Sequence, residues 1–121
     1  MAARRTERLN EQLKREISSL VREEVRDPRV GLVTITGVHT TRDLGLARVY
    51  VMTVGSDAER ESTLAGLAAA APFLRTALGR ILKIRRVPEL RFEEDRSLEH
   101  ARRIERVLSE VIPPPGEPDE A

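Results

Sequence analysis

The chain has 121 residues, with 21 basic and 20 acidic side chains, a net charge of +1 and no cysteine. That length supports one domain with one modest core, and the missing thiols exclude a disulfide scaffold, a thiolate zinc site, an iron–sulfur cluster and a cysteine nucleophile. No apolar run approaches the roughly 18 residues of a membrane span, and MAARRTERLN carries arginines where a signal peptide is apolar, so a soluble, monomeric cytoplasmic protein is expected.

From Thr6 the apolar residues Leu9, Leu13, Ile17, Leu20, Val21 and Val25 recur at intervals of three and four, which predicts an amphipathic helix ending before Asp27-Pro28. Val30 to Thr40 reads as a strand with Val33 and Ile35 on one face and Leu32, Thr34, Thr36 and Val38 on the other. Asp43-Leu44-Gly45 is a turn. Leu46 to Val54 is a second strand, Ala47, Val49 and Val51 opposed to Arg48, Tyr50 and Met52, close enough to the first to form a hairpin. Glu59 to Ala70 predicts a second helix with Leu64, Leu67, Ala68 and Ala71 on one face. Pro72 interrupts the helical run, so the spacing predicts a kink at Ala70 to Pro72 and a third helix buried through Phe73, Ala77, Leu78, Ile81 and Ile84. Val87 to Glu93 is a short strand with Leu90 and Phe92 inward. Leu98, Ala101, Ile104, Leu108 and Val111 suggest a last helix, and residues 113–121 are a proline-rich acidic tail without a core-forming pattern, expected to be disordered beside a single domain over residues 1–112.

The charge is unevenly placed. Between Pro72 and Arg91 six basic residues face one acidic residue, a net +5, and Arg75, Arg80, Lys83, Arg85 and Arg86 lie within it. Such a stretch is the electrostatic footprint of a phosphate-contacting surface, and arginine's planar fork suits phosphate better than a point charge. The competing reading is a solvated helix face, since 19 of the 21 basic residues are arginine and an arginine-rich composition places them everywhere. Arg4, Arg5 and Arg8 form a second basic patch, either an arm that reaches nucleic acid or incidental charge at a terminus. Asp27-Pro28-Arg29 reads as a helix stop and turn. His39 and His100 are the only histidines and have no neighbouring carboxylate cluster, and no glycine-rich phosphate loop, nucleophile elbow or metal spacing is present, so neither catalysis nor a cofactor is expected.

The order is α+β, α-β-β-α-(kink)-α-β plus a C-terminal helix. A crossover of this kind puts the third strand into the same sheet and the helices on one face, giving a mixed three-stranded sheet. It is the topology of the type II KH domain, which binds single-stranded RNA, although the Gly-x-x-Gly loop of KH domains is replaced here by Ala70-Ala71-Pro72-Phe73-Leu74-Arg75. That string, together with Asp27-Pro28-Arg29, Val33-Thr34-Ile35-Thr36, Asp43-Leu44, Ala47-Arg48-Val49-Tyr50-Val51, Ile84-Arg85, Pro88-Glu89-Leu90-Arg91-Phe92 and Asp95, resembles the ribosome-binding factor A family over about Arg4 to Leu108. The family's kink glycine is Pro72 here, a stiffer junction without an amide. The resemblance implies binding to the immature 30S ribosomal subunit through 16S ribosomal RNA, assistance to late maturation of that RNA, and release by an assembly GTPase. A protein-interaction module that docks on a ribosomal protein without touching RNA is the competing function, and the salt dependence of binding separates the two.

Overall fold

The computed structural model describes residues 2–97, with side chains from residue 6 onward. The expected C-terminal helix and acidic tail lie outside the described residues. Two helices and three strands follow in the order α1 (Ala2–Glu23), β1 (Val33–Thr40), β2 (Leu46–Thr53), α2 (Asp57–Leu82) and β3 (Glu89–Glu94). β2 is the central strand, antiparallel to β1 and parallel to β3, so the sheet is mixed. Both helices cover the same face. Leu13, Ile17 and Val21 of α1, Ile35 of β1, Ala47, Val49 and Val51 of β2, Leu67, Leu74 and Leu78 of α2, and Leu90 of β3 form one buried cluster.

The first strand departs from simple alternation. Ile35 pairs with Val51 but Gly37 pairs with Tyr50, so Thr36 is the extra residue of a β-bulge. One inserted residue reverses the parity of the remaining strand, which turns Val38 and Thr40 toward the helices and corrects the expectation that Val38 opposes Ile35. The bulged Thr36 hydroxyl is held by the Asp95 carboxylate at 2.6 Å and the Tyr50 carbonyl at 3.2 Å. Thr40 is buried too. Its amide and hydroxyl both donate to the Asn10 side chain, at 3.0 and 2.6 Å, which ties the end of β1 to the first half of α1.

α2 opens on a capping box in which the Glu59 amide donates to the Ser56 hydroxyl and the Ser56 amide to the Glu59 carboxylate. The expected third helix starting at Pro72 does not exist as a separate element: the helix runs from Asp57 to Leu82 with Pro72 inside it. Thr63, Gly66, Leu67, Leu74, Ala77 and Leu78 are its buried residues, an uninterrupted spacing of three, four and seven, so the apolar stripe crosses the proline in phase. Pro72 cannot donate to the Ala68 carbonyl, but both residues are exposed and water can satisfy that oxygen. Leu74, fully buried, therefore takes the place expected of Phe73, whereas Phe73 is 44% exposed and Ile81 45%. Ala68 likewise faces solvent.

The linker between α1 and β1 is strapped to α2. Asp27 receives the Arg29 amide at 2.9 Å and the Arg29 guanidinium at 3.1 and 2.7 Å, and the Val30 amide donates to the Asp27 carbonyl. The Thr63 hydroxyl donates to the Arg29 carbonyl and accepts from the Gly31 amide, both at 3.3 Å. Gly66 makes that approach feasible, because a Cβ there would lie 2.7 Å from Val30 Cγ2 and 3.2 Å from Arg29 Cβ. At Gly79 a Cβ would instead meet Val87 Cγ2 at an ordinary 3.4 Å. Glycine to alanine inside a helix gains roughly 1 kcal/mol of propensity, while overpacking costs about 1–3 kcal/mol. Denaturant titration should therefore show Gly66→Ala losing up to about 2 kcal/mol and Gly79→Ala gaining up to about 1 kcal/mol.

The Asp27 turn also sets an acid response. The Arg29 side chain, and then its amide, hold the Asp27 carboxyl down from its usual 3.8 to about 2. A depressed carboxyl contributes stability above its unfolded pKa and loses it as pH falls through the folded one. An NMR titration should place the Asp27 midpoint near 2, and Asp27→Asn should flatten the decline of stability between about pH 4 and 2.

Candidate nucleic-acid interface

The parallel pairing of β3 with β2 decides which charges become neighbours. Leu46 lies opposite Glu89, and the Glu89 amide donates to the Gly45 carbonyl at 3.0 Å, so the connection from Lys83 to Pro88 ends beside the hairpin turn. Asn10 bonds to Thr40 at that same end. The first turns of α1, the turn at residues 41–45, the end of α2 and its connection to β3 thus share one end of the molecule. This brings the helix that carries Arg4, Arg5 and Arg8 to the end that holds Arg80, Lys83, Arg85 and Arg86.

Arg8, Arg80, Lys83, Arg85 and Arg86 are all exposed, and among the described residues none of these side chains makes an ion pair or a hydrogen bond. Lys83 ends α2 with φ at 53°, a left-handed cap whose amide donates to the Gly79 carbonyl, and this reversal throws Arg85 and Arg86 out of the helix line. Arg75 is placed differently. Its Nε donates to the Pro88 carbonyl at 3.1 Å and its Nη2 to the Val87 carbonyl at 3.0 Å, so the guanidinium ties α2 to the strand that follows. Of the kink residues, Ala70 packs against the core and Pro72 is exposed.

Pairing brings together side chains that lie far apart in the sequence. His39, Arg48 and Arg91 are consecutive partners across the three strands, on the face away from the helices, and Arg42 is exposed in the adjoining turn. No pattern in the one-dimensional sequence joins residues 48 and 91; only the parallel register does. Glu93 and Glu89 temper this row, at 3.8 Å from Arg48 and 4.0 Å from Arg91. The adjoining turn is held by side-chain hydrogen bonds. The Asp43 carboxylate accepts from the Gly45 amide at 2.9 Å and the Thr41 hydroxyl at 2.7 Å, which hold its pKa below the usual carboxylate range, and Leu44 takes φ of 60°. Tyr50 is half-buried on the open face, and its carbonyl receives Thr36.

Among the described residues no three His, Asp or Glu side chains are grouped to hold a metal ion, and no helix is long and apolar enough to cross a membrane. The arrangement can do one thing plainly: it presents four unpaired cations within seven residues, on a helix end and loop whose backbone is fixed by the Lys83 cap and the Arg75 tie. The two kinds of arginine should separate by experiment. Arg75→Gln should cost about 1–2 kcal/mol in denaturant titration through the two carbonyls it abandons, whereas Arg80→Gln should stay within about 0.5 kcal/mol of the parent.

A relative called ribosome-binding factor A from Desulforamulus reducens is 46% identical over 107 residues, covering 88% of this chain and 89% of the relative. The crystal structure of ribosome-binding factor A from Thermus thermophilus superposes with a TM-score of 0.69 at 32% identity, covering 76% of this chain and 97% of that one. A homology model of the Thermus thermophilus protein, fitted into a cryo-EM map of its complex with the 30S subunit, superposes with a TM-score of 0.60 at 32% identity over 71% of this chain and 90% of that one. The family model for ribosome-binding factor A matches residues 5–108, most of the chain, and the chain belongs to that family.

Proposed function

We propose that this protein binds the immature 30S ribosomal subunit through 16S ribosomal RNA and assists the late maturation of that RNA, acting as a single domain over residues 1–112 in the cytoplasm. The observation that carries the reading is the group of unpaired cations, Arg80, Lys83, Arg85 and Arg86, converging with the start of α1 at one end of the fold. A phosphate-rich partner is what such a surface recognises most strongly, because each neutralised phosphate releases condensed counterions. The Thermus thermophilus relative fitted into a 30S complex supports the choice of partner. Arg4, Arg5 and Arg8 extend the contact along the first turns of α1, Arg75 contributes by fixing the loop that carries Arg85 and Arg86, and an assembly GTPase releases the factor.

Co-sedimentation with immature 30S subunits across a salt series tests this. The triple change Arg80→Gln, Lys83→Gln and Arg86→Gln should weaken binding and flatten the log–log salt dependence by about two to three, since each phosphate contact contributes about 0.7–0.9. The melting temperature should stay nearly constant, because none of the three touches the core. Unaltered affinity of the folded triple variant would reject the RNA surface, and a salt-independent interaction would favour docking on a ribosomal protein.

A further inference from the structure

Phe73 is one of only three aromatic residues in the chain, and it is 44% exposed on a helix whose apolar stripe has room for Leu74 and none for it. At about 100° per residue, Phe73 and Arg80 lie within about 20° of one another around α2 and about 10 Å apart along it, with the exposed Thr76 between them. The Thr76 hydroxyl is turned back onto the Pro72 carbonyl at 3.1 Å. Arg75 sits on the far flank, about 200° from Phe73 around the axis, where it reaches the Val87 and Pro88 carbonyls. One flank of α2 is thus tied to β3, and the other carries an exposed ring followed by Arg80 and the Lys83 cap.

We propose that Phe73 is a base-stacking residue: an unpaired nucleotide of the RNA lays its base on the Phe73 ring while the neighbouring phosphates sit on Arg80 and Lys83. The inference rests on the RNA-binding role proposed for the same surface and adds the side chain that would receive an unpaired base. A ring accepts any base, because every base has a π-face, whereas the cations alone would accept any phosphate run, duplex included. Pro72 sharpens this role. Its ring fixes φ at the residue immediately before Phe73, so the backbone that carries the aromatic ring has one fewer free dihedral to order. An exposed aromatic on a mobile loop would lose more entropy on ordering.

Affinity for immature 30S subunits and for protein-free 16S RNA tests the proposal with Phe73→Leu and Phe73→Tyr. Stacking contributes about 1–3 kcal/mol per base, so the leucine variant should bind both ligands about 5-fold to 150-fold more weakly with an unchanged salt slope. The tyrosine variant, which keeps the ring, should stay within about twofold of the parent. A leucine variant of full affinity overturns the inference, and so does equal weakening by leucine and tyrosine. A loss confined to the intact subunit would mean that Phe73 meets a ribosomal protein, and a changed salt slope would mean that it merely positions Arg80; either result overturns stacking. Because the triple cation variant is read separately, weak binding there with full binding by Phe73→Leu rejects the base contact and leaves the RNA-binding role in place.

Discussion

The basic end of this protein exists because β3 pairs in parallel with β2. A parallel neighbour cannot be reached by a tight turn, so the chain must travel the length of the sheet in α2 and return at the end where β2 began. That return places the α2–β3 connection against the hairpin turn, through the Glu89 amide on the Gly45 carbonyl. An antiparallel third strand would have delivered Arg85 and Arg86 to the opposite end, beside the start of α2. The central strand makes this possible, since Ala47, Val49 and Val51 are fully buried and leave β2 no freedom of register.

The two helices are fastened to the sheet by different chemistry. α1 is held by its Leu13, Ile17 and Val21 stripe, with Asn10 as a polar pin into the end of β1. α2 is held in three ways: Gly66 and Thr63 receive the α1–β1 linker, Leu74 and Leu78 fill the centre, and Arg75, beside them, grips the strand that follows. Polar contacts therefore sit where chain segments cross, and the apolar ones between them. The cations at the end of α2 take no part in either set, which frees them for a partner.

Much of this architecture is legible in the residues, and the failures are instructive. The three-and-four spacing from Leu9 to Val25 and the strict alternation of Ala47, Val49 and Val51 follow from the side-chain periods of helix and strand. The Asp27-Pro28 stop and the Asp43 turn are legible from turn chemistry. Phe73 is not, because reading Pro72 as a fresh start resets the helical phase, and a reset stripe selects Phe73 where a continuous one selects Leu74. An interior proline costs about 3 kcal/mol through a lost hydrogen bond and a crowded carbonyl, and the burial of two in-phase leucines, at about 1.5–3 kcal/mol each, offsets it. The bulge at Thr36 is invisible to alternation, which has no symbol for an inserted residue. Its signal is tertiary, the Asp95 carboxylate at 2.6 Å. Arg75 looks like its neighbours in charge and differs only in having carbonyls within reach.

The same bulge has a consequence for the molecule in a crowded solution. Among the described residues the three-stranded sheet ends at β1 on one side and at β3 on the other. Flat edges invite pairing with another chain, and natural proteins deter it by twisting or charging them. Here each edge uses one device. β1 carries the irregular step at Thr36, which spoils the repeat that an incoming strand would need to match. β3 carries Glu89, Arg91, Glu93 and Glu94, four ionic side chains in six residues, so an apolar strand laid alongside would have to desolvate charge. Both devices raise the cost of adding a further strand along either edge.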